Sequence, residues 1–250
     1  MPNLLSDSSL FPTTDYSFLP VTVHGYSDEV RSAVLESVGV KSSRSSHVLR
    51  CGKYSIRQVS SSVQFDKVSA LVERMYGCRG YRVDNYCGYS RDAHRLVLEA
   101  SDDRGAVIGT LTLNLDSERG LLAEELYTEE IGHFRAQRRK ICELSRLALD
   151  PAHSSKEMLA SLFHFAYIHG RLLNEVTDLF VEVNPRHAGF YKRMLGFEQI
   201  GQVRICRRVE APAVLLHLEM EHVDKSITAL TGLHQPRAGS FYSYFSAAGV

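Results

Sequence analysis

The 250-residue sequence has no excess of either charge, because 29 Lys and Arg residues balance 29 Asp and Glu residues. This balance removes any global electrostatic attraction to nucleic acid, so effects of charge have to be local. The apolar runs are short, as in Ala213–Leu216, and none approaches the roughly 20 residues that a membrane-spanning helix needs. Residues 1–20 have neither a basic start nor an apolar core, so we expect no signal peptide and a cytoplasmic location.

Paired cysteines and glycine-rich nucleotide motifs are also missing. The five cysteines stand at positions 51, 78, 87, 142 and 206, and such an odd, scattered set does not indicate a secreted disulfide framework. Cys78 and Cys87 are too far apart for a zinc knuckle, and the sequence has no second pair of cysteines that could complete a zinc site. We therefore expect no metal. No Gly-x-Gly-x-x-Gly follows a predicted strand and no Walker loop occurs, which argues against dinucleotide and NTP enzymes.

The apolar content, 44% of the residues, is ordinary for a globular protein. Residues 1–50 include the Ser-rich run Ser42–Ser46, and we interpret them as an N-terminal extension and linker. Residues 51–222 hold the predicted strands and helices of one domain. Residues 223–250 form a C-terminal extension, rich in Gly and Ser with aromatic residues near its end, that could pack over a groove or be partly disordered.

Hydrophobic periodicity predicts alternating strands and helices before residue 140. The predicted elements are a strand at Lys53–Val59, a helix at Asp66–Tyr76, strands at His94–Ala100 and Ala106–Leu115 around a turn at Asp102–Gly105, and a helix at Gly120–Arg138. Two closing strands are predicted at Val203–Val209 and Ala213–Glu221. Together with the unit between residues 140 and 201, these elements predict a mixed α/β layer fold.

The central unit, Lys140–Gly201, is predicted to fold in the order strand, helix, strand, helix, strand. Its elements are Lys140–Leu149, a helix from about Lys156 to Leu173, Asp178–Asn184, Pro185–Gly196 and Phe197–Gly201. Ser154 and Glu157 have the spacing of a capping box before the first helix. Asn184 stands at the cap position of the second helix, Pro185 at its first residue and Gly196 just past its end.

The run Asn184-Pro-Arg-His-x-x-Phe-Tyr-x-x-x-Leu-Gly-Phe197 resembles the last strand–helix–strand segment of the GNAT acyltransferase superfamily. The resemblance implies an α/β GNAT-like fold, with helices flanking a central mixed twisted sheet. In that fold two neighbouring strands splay apart, and a thioester arm lies between them.

A second set of motifs is more specific. Tyr54–Val59, Tyr76–Tyr81 with Asp84, and Glu143–Leu147 resemble acyl-homoserine lactone synthases and their relatives. With Asn184–His187 and Ala211–Leu216 added, residues 53 to 222 most resemble the long-chain N-acyl amino acid synthases. Arg91–His94 matches the acidic loop of that family only loosely, and both extensions are unmatched. The resemblance implies transfer of a long acyl chain from acyl carrier protein to the α-amine of an amino acid, with Asp84 and Arg146 binding the acceptor.

Amide formation from a thioester requires a base, donors for the tetrahedral oxyanion, and a thiolate that is protonated or tolerated as it leaves. Glu143 is the candidate base or ammonium anchor, and Arg146 could hold a carboxylate, either that of the acceptor or that of Glu143. Tyr191 resembles the GNAT tyrosine that faces the sulfur and is the candidate general acid. We expect direct attack, because no partner histidine is placed beside Cys142.

The spacing of Glu143 and Arg146 sets a geometric condition. Residues three apart in a regular strand point to opposite faces, so both can face one cleft only if the strand bulges between them. A bulge near Ser145 would also release a backbone N–H, of Leu147 or Ala148, for the thioester oxygen. A flat, fully paired strand there would contradict this oxyanion proposal.

The loop Asp150–Glu157 indicates which kind of acyl donor the protein uses. GNAT enzymes wrap the pyrophosphate of coenzyme A with a Gly-rich loop at a helix start, and this loop has no glycine. Ser154, Ser155 and Lys156 could hold the single phosphate of acyl-phosphopantetheine, and Asn184 could contact its amides. We expect no bound cofactor beyond this donor substrate. Six basic residues could form a patch for an acidic acyl carrier protein, namely Arg135, Arg138, Arg139, Lys140, Arg186 and Arg193.

Other readings stay open. An acyl-homoserine lactone synthase would use S-adenosylmethionine as acceptor, and an N-acetyltransferase would use acetyl coenzyme A. A catalytically inactive acyl-binding or carrier-binding module would keep the fold without the reaction. The sequence leaves open the acceptor amino acid, the acyl length, the oligomeric state and any peripheral contact with membranes.

Overall fold

The computed structural model describes residues 48–51, 53–81, 92–231 and 241–245. Within these ranges nine strands form one sheet, and α-helices pack on both of its faces. The strands are β1 (Val48–Cys51), β2 (Tyr54–Gln58), β3 (Arg95–Asp102), β4 (Val107–Leu115), β5 (Ile141–Leu149), β6 (Asp178–Val183), β7 (Glu198–Gln199), β8 (Arg204–Cys206) and β9 (Ala211–Glu219).

The α-helices are α1 (Ser62–Gly77), α2 (Glu124–Ala136), α3 (Lys156–Tyr167), α4 (Pro185–Leu195) and α5 (Met220–Thr231). α3 continues as a π-helical turn at Ile168–Leu173, so the predicted helix does reach Leu173. A 3₁₀ turn, here called the C-terminal turn, spans Phe241–Tyr244. The other predicted strands and helices are confirmed with shifted ends, whereas β1 and α5 were not predicted.

The sheet is mixed, as the sequence predicted. The order is β1-β2-β3-β4-β5-β6-β9-β7, with β8 added on β9, and β5 and β6 are the parallel pair among otherwise antiparallel neighbours. The β5–β6 pairing begins at Ile141 opposite Asp178 and ends at Leu144 opposite Val181. β5 continues to Leu149 along β4, and β6 continues to Val183 along β9. The two strands therefore part, and the expected splay is confirmed.

The expected bulge is confirmed as well. In the ladder with β4, Thr112 lies opposite Ser145 and Thr110 lies opposite Ala148. Arg146 and Leu147 therefore share the space opposite a single residue, which is a β-bulge. Arg146 has a φ of 53°, in the left-handed region that non-glycine residues rarely adopt. The bulge lies directly after the last β5–β6 pair, on the strand that the sequence singled out.

The sheet divides the core between two faces. Cys142, Leu144 and Leu216 belong to the larger cluster, which contains the buried residues of α3, α4 and α5. The opposite face carries Ile141 and Phe180 in a second cluster with residues of α2. Ala148 packs on that second side against α1. Because side chains alternate along a strand, Glu143 shares the α2 side with Ile141, while Cys142 points the other way.

The helix caps correct one prediction. The cap of α3 is Ser155, whose hydroxyl accepts from the Met158 N–H at 3.1 Å, so the proposed capping box of Ser154 and Glu157 is one residue out of register. Asn184 does cap α4 and accepts from the Arg186 N–H at 3.2 Å.

The end of the described core also differs from the sequence interpretation. β9 ends at Glu219 and α5 follows at once, where the last strand was predicted to run to Glu221. Met220, Val223 and Ile227 recur at helical spacing and are buried in the larger cluster. The packed core thus continues past residue 222, where the sequence predicted an extension to begin. None of the described helices is long and apolar enough to cross a membrane.

Gly201 provides a test of the packing between α2 and β9. A Cβ added at Gly201 would lie 2.6 Å from Tyr127 and 2.8 Å from Leu215, both fully buried. Gly201→Ala should therefore lower the free energy of unfolding by about 1–3 kcal/mol through overpacking. Urea denaturation measures this loss.

The matched control is Gly132→Ala, on α2, where an added Cβ meets nothing within 4 Å. It should stabilise the protein by about 0.5–1 kcal/mol, because Ala is the better helix former. Equal effects of the two substitutions would contradict the packing described for Gly201.

Candidate active site

Glu143 is the most buried carboxylate beside the split between β5 and β6. Its side chain is 1% exposed, and its Oε2 accepts from the Leu122 N–H, just ahead of α2, at 2.7 Å. Burial, and then the charge of Glu182, raise its pKa to about 7, against backbone hydrogen bonds and Arg208, which lower it. A carboxylate with a pKa near neutrality can accept a proton and release it again at physiological pH.

A second carboxylate and an arginine border Glu143 on the same face. Arg208 donates to Glu182 at 2.8 Å, to Glu125 at 2.6 Å and to the Leu122 carbonyl at 2.7 Å. It thereby ties the turn before β9 to β6 and to the start of α2. The sequence interpretation missed Glu182 and Arg208. Alternation along β6, with Phe180 and Glu182 on one face, was the available signal for Glu182.

Small polar side chains extend this face across β4 and β5. Asn114 lies opposite Glu143 in the ladder, and its amide donates to the Ser145 hydroxyl at 2.9 Å. Thr112 lies opposite Ser145; its side chain is fully buried, and its hydroxyl has no hydrogen-bond partner among the described residues. We call Thr112, Asn114 and Ser145 the polar strip. Polar residues alternating with Leu111 and Leu113 were its signal in the sequence.

The other predicted β5 residues lie at the bulge or directly after it. Arg146 and Leu147 are half-buried and Ala148 is buried, all on the stretch of β5 that has left β6. Their roles as carboxylate holder and oxyanion donors remain predictions. Asp84, the other predicted acceptor residue, lies outside the described residues.

Tyr191 lies on the opposite face of the sheet from Glu143. It packs edge-to-face against Phe163 of α3, Phe190 and Phe197, with ring centroids 6.2, 5.5 and 5.5 Å away. Burial, assisted by nearby Tyr76, raises its pKa above the ordinary range for tyrosine. The phenol therefore stays protonated, which is the form that a proton donor requires.

Cys142 is unsuited to nucleophilic attack. It points into the larger core cluster, away from Glu143, and burial raises the pKa of its thiol well above the ordinary value. A buried protonated thiol is a poor nucleophile. Direct attack without a covalent enzyme intermediate remains a prediction.

The predicted donor loop follows β5 and leads into α3. Asp150 in this loop accepts from Arg74 of α1 at 2.8 Å and from the Ala152 N–H at 3.0 Å. The Ser155 hydroxyl and the Asn184 side-chain oxygen both accept cap hydrogen bonds. Ser154 and Lys156 are half-buried beside them. Contacts of these four residues with a donor remain predictions.

The six basic residues of the predicted patch lie on two parts of the chain, four near the start of β5 and two on α4, and their role as a carrier-protein patch remains a prediction. Three of them form ion pairs. Arg135 pairs with Asp116 and Glu124. Arg139 pairs with Asp178 and Glu219, and Lys140 pairs with Glu175. Arg138, Arg139 and Lys140 directly precede β5, and Arg135 is near the end of α2; the far end of β5 lies about 26 Å away, at eight steps of roughly 3.3 Å. Arg186 and Arg193 are on α4, which follows the open end of the split.

Cations and tyrosines join α1 to α4 at that open end. Arg186 donates to the Tyr81 hydroxyl at 2.7 Å, and Tyr81 contacts Tyr76 edge-to-face with centroids 6.0 Å apart. Burial, and then the charges of Arg186 and Arg79, lower the pKa of His187 to about 4. His187 is therefore neutral near pH 7, and the positive charge here comes from the arginines.

Comparison with known proteins places this site in context. A family model described as N-acyl amino acid synthase FeeM matches residues 67–219. The solved structure of FeeM, an N-acyl amino acid synthase from uncultured soil microbes, is similar over 72% of this chain and 96% of its own, with 24% identity and a TM-score of 0.65. No curated protein matches the sequence.

Two further solved structures are less similar to this chain. Escherichia coli ElaA is 8% identical over 66% of this chain and 99% of its own, with a TM-score of 0.49. An acyl-CoA N-acyltransferase from Pseudomonas aeruginosa is 13% identical over 66% and 97%, with a TM-score of 0.46. The likeness to FeeM confirms the predicted GNAT-like fold.

The buried charge of Glu143 predicts a pH-dependent stability. Its pKa is 4.5 ordinarily and about 7 in the folded protein, so folding disfavours the ionised form by about 3 kcal/mol once the pH exceeds 7. Glu143→Gln should therefore make the protein more stable than the unaltered chain at pH 8. This advantage should shrink as the pH falls through 7 towards 4.5.

Urea denaturation of both proteins across this pH range measures the effect. Glu129→Gln, at an exposed position on α2, is the control and should show no such pH-dependent gain. A Glu143→Gln protein that is equally or less stable at pH 8 would contradict the burial of an unfavourable charge.

Proposed function

The chain belongs to the N-acyl amino acid synthase FeeM family and is an acyltransferase that makes N-acyl amino acids; we propose that its donor is a long acyl chain on acyl carrier protein, attacked directly by the α-amine of the acceptor. The observation that carries the proposed mechanism is Glu143, a buried carboxylate with a pKa of about 7 directly before the split of β5 and β6.

In the proposed reaction Glu143 takes a proton from the acceptor ammonium, and the free amine attacks the thioester carbon. A C–N bond forms, the tetrahedral oxyanion collapses and the C–S bond breaks. The N–H groups of the bulge, at Leu147 or Ala148, donate to the oxyanion. Tyr191 gives its proton to the departing thiolate. The attacking nitrogen, which still carries one excess proton after the C–N bond forms, releases it through solvent and so restores the Tyr191 phenol. No covalent enzyme intermediate forms.

The acceptor is proposed to lie on the Glu143 side of the sheet. The polar strip supports this placement, because Asn114 lies opposite Glu143 in the ladder and the buried Thr112 hydroxyl has no partner among the described residues. A buried hydroxyl without a partner is costly, so a ligand group that bonds to it stabilises the complex. Arg146, at the bulge, would hold the acceptor carboxylate.

The phosphopantetheine arm is proposed to enter between β5 and β6, beyond Leu144 and Val181. Its single phosphate would lie near the glycine-free loop at Ser154, Ser155 and Lys156, with Asn184 across the split. α4 begins directly after β6, on the open side of the split, and its Arg186 and Arg193 are exposed, whereas Arg139 and Lys140 at the other end of β5 are ion-paired. We therefore assign the acidic surface of the carrier protein to α4.

The acyl chain is proposed to continue into the larger core. A cavity of about 30 Å³ lies there, lined by apolar and aromatic side chains that include Leu144 and Leu179 of the parting strands. Apolar lining favours a hydrocarbon chain over an acetyl group alone, because each buried methylene contributes about 0.8 kcal/mol.

Mass spectrometry of purified reactions tests the proposed donor and acceptor. The protein is incubated with a mixture of free amino acids and either palmitoyl-acyl carrier protein or palmitoyl coenzyme A. We expect N-palmitoyl amino acids, formed faster from the carrier protein. Products from coenzyme A alone would contradict the donor assignment, and a lactone formed only with S-adenosylmethionine would contradict the acceptor assignment.

Glu143→Gln should lower the rate of acyl transfer about 100-fold or more, because a positioned base typically contributes a factor of about 10² to 10⁴. In the unaltered protein kcat/KM should rise with pH through an apparent pKa of about 7, since only the ionised carboxylate accepts a proton. This rise should be absent from the variant. Glu129→Gln should keep the rate and its pH profile, and an unchanged profile in Glu143→Gln would refute the base assignment.

Charge-reversal substitutions test which part of the predicted basic patch binds acyl carrier protein. Arg193→Glu on α4 should raise the KM for acyl carrier protein about tenfold, an effect of about 1.4 kcal/mol, without changing the KM for a short acyl-pantetheine thioester. Arg138→Glu, at the other end of β5, should leave both values unchanged. Steady-state kinetics with the two donors measures this, and a larger effect at Arg138 would reverse the assignment.

A further inference from the structure

The C-terminal turn lies beyond the segment that matches the family. The family match ends at residue 219, whereas the turn spans Phe241–Tyr244 and is followed by Phe245. Phe241, Tyr242 and Phe245 are 1%, 4% and 5% exposed and belong to the larger core cluster. A buried aromatic turn outside the shared segment is a feature through which this chain can differ from its relatives.

The turn forms one wall of the apolar cavity. Tyr242 and Phe245 line it together with Leu144 and Leu179, which lie on the parting strands. At about 30 Å³ the cavity has room for only one or two water-sized groups. The two aromatic rings are therefore part of the wall of this small cavity, and an acyl group that reaches them has little free volume beyond.

Specific contacts hold these rings in position. The Tyr242 hydroxyl donates to the Leu195 carbonyl at the end of α4. Phe245 stacks on the buried ring of His164, with centroids 4.8 Å apart and planes at 17°. It also meets Tyr242 edge-to-face at 5.4 Å. The wall is thus packed against both α3 and α4.

Helix α5 has hydrogen bonds to the rest of the core that do not come from the turn. Asp224 accepts from the Tyr167 hydroxyl at 2.8 Å and from Arg171 at 2.8 Å. These bonds connect α5 to α3 and its π-helical continuation without using any residue of the turn. Substitutions within the turn therefore remove none of these hydrogen-bonding groups, although Phe245 does contact the Tyr167 ring, with centroids 6.1 Å apart.

We propose that the C-terminal turn sets the length of acyl chain that the protein accepts, with Tyr242 and Phe245 forming the end of the acyl pocket. This inference rests on the proposed function, because it concerns the donor of that reaction. Chains that reach the rings are accommodated poorly, since their last methylenes compete with the rings for the same volume. Removing a ring lengthens the pocket.

Phe245→Ala tests this inference against Phe241→Ala. Both residues are buried and aromatic, but Phe241 contacts Phe190 and does not line the cavity. With acyl carrier protein donors of increasing chain length, Phe245→Ala should move the optimum of kcat/KM to longer chains. Each further methylene that becomes buried should raise kcat/KM about fourfold, equivalent to about 0.8 kcal/mol. Phe241→Ala should keep the optimum of the unaltered protein.

An unchanged optimum in Phe245→Ala, or an equal shift in both variants, would overturn the inference. If the alanine variants fail to fold, Phe245→Leu and Phe241→Leu give the same comparison with smaller cavities. Phe245→Trp, which enlarges the ring, should move the optimum to shorter chains, and no movement there would also count against the turn.

A binding measurement distinguishes failure of this inference from failure of the proposed function. Displacement of a fluorescent fatty acid by saturated fatty acids of increasing length requires no catalysis. If Phe245→Ala binds longer fatty acids than the unaltered protein while neither transfers acyl groups from the carrier protein, the donor proposal fails and the pocket assignment stands. If acyl transfer proceeds and the variant shows no change in either length profile, the pocket assignment fails alone.

Discussion

The candidate site depends on a parallel strand pair that stays together for only a short distance. β5 and β6 pair from Ile141 to Leu144, and then each follows its other neighbour. Buried backbone groups require hydrogen-bond partners, and those that face the gap no longer find them on a neighbouring strand. A linear substrate with amide groups, such as the proposed pantetheine arm, can lie in the gap as an additional strand would. The bulge at Arg146 marks the point where β5 leaves β6.

The same strands separate the two chemical environments that the reaction needs. On one face the buried Glu143 and the partly buried Glu182 and Arg208 lie next to the polar strip, and burial brings the pKa of Glu143 to about 7. On the other face Leu144 and Leu179 open towards an apolar cavity. Residues that alternate along one strand thus present a carboxylate with a raised pKa on one side and a hydrocarbon surface on the other. An amine and an acyl chain can approach the same bond from opposite sides of the sheet.

Much of this arrangement could be predicted from local sequence. The cap at Asn184, the helix end at Gly196 and the bulge required by Glu143 and Arg146 were all expected, because each follows from backbone geometry within a few residues. The ion pairs of Arg135, Arg139 and Lys140 could not be predicted, because their acidic partners lie on other segments of the chain. Glu182 and Arg208 were missed because their hydrogen bond to each other, and those of Arg208 to α2, join segments that are distant in the sequence. Helix α5 was missed although its helical spacing was present.

The sequence by itself determined the alternation of strands and helices, the family resemblance and the β5 residues around which the site is built. These features depend on periodicity, turn chemistry and short motifs, which are local properties of the chain. Only the tertiary structure decided the pKa of Glu143, the ion pairs that neutralise Arg139 and Lys140, and the position of Phe245 against the cavity. Burial and long-range pairing set these properties, and both depend on segments far apart in the sequence that folding brings into contact.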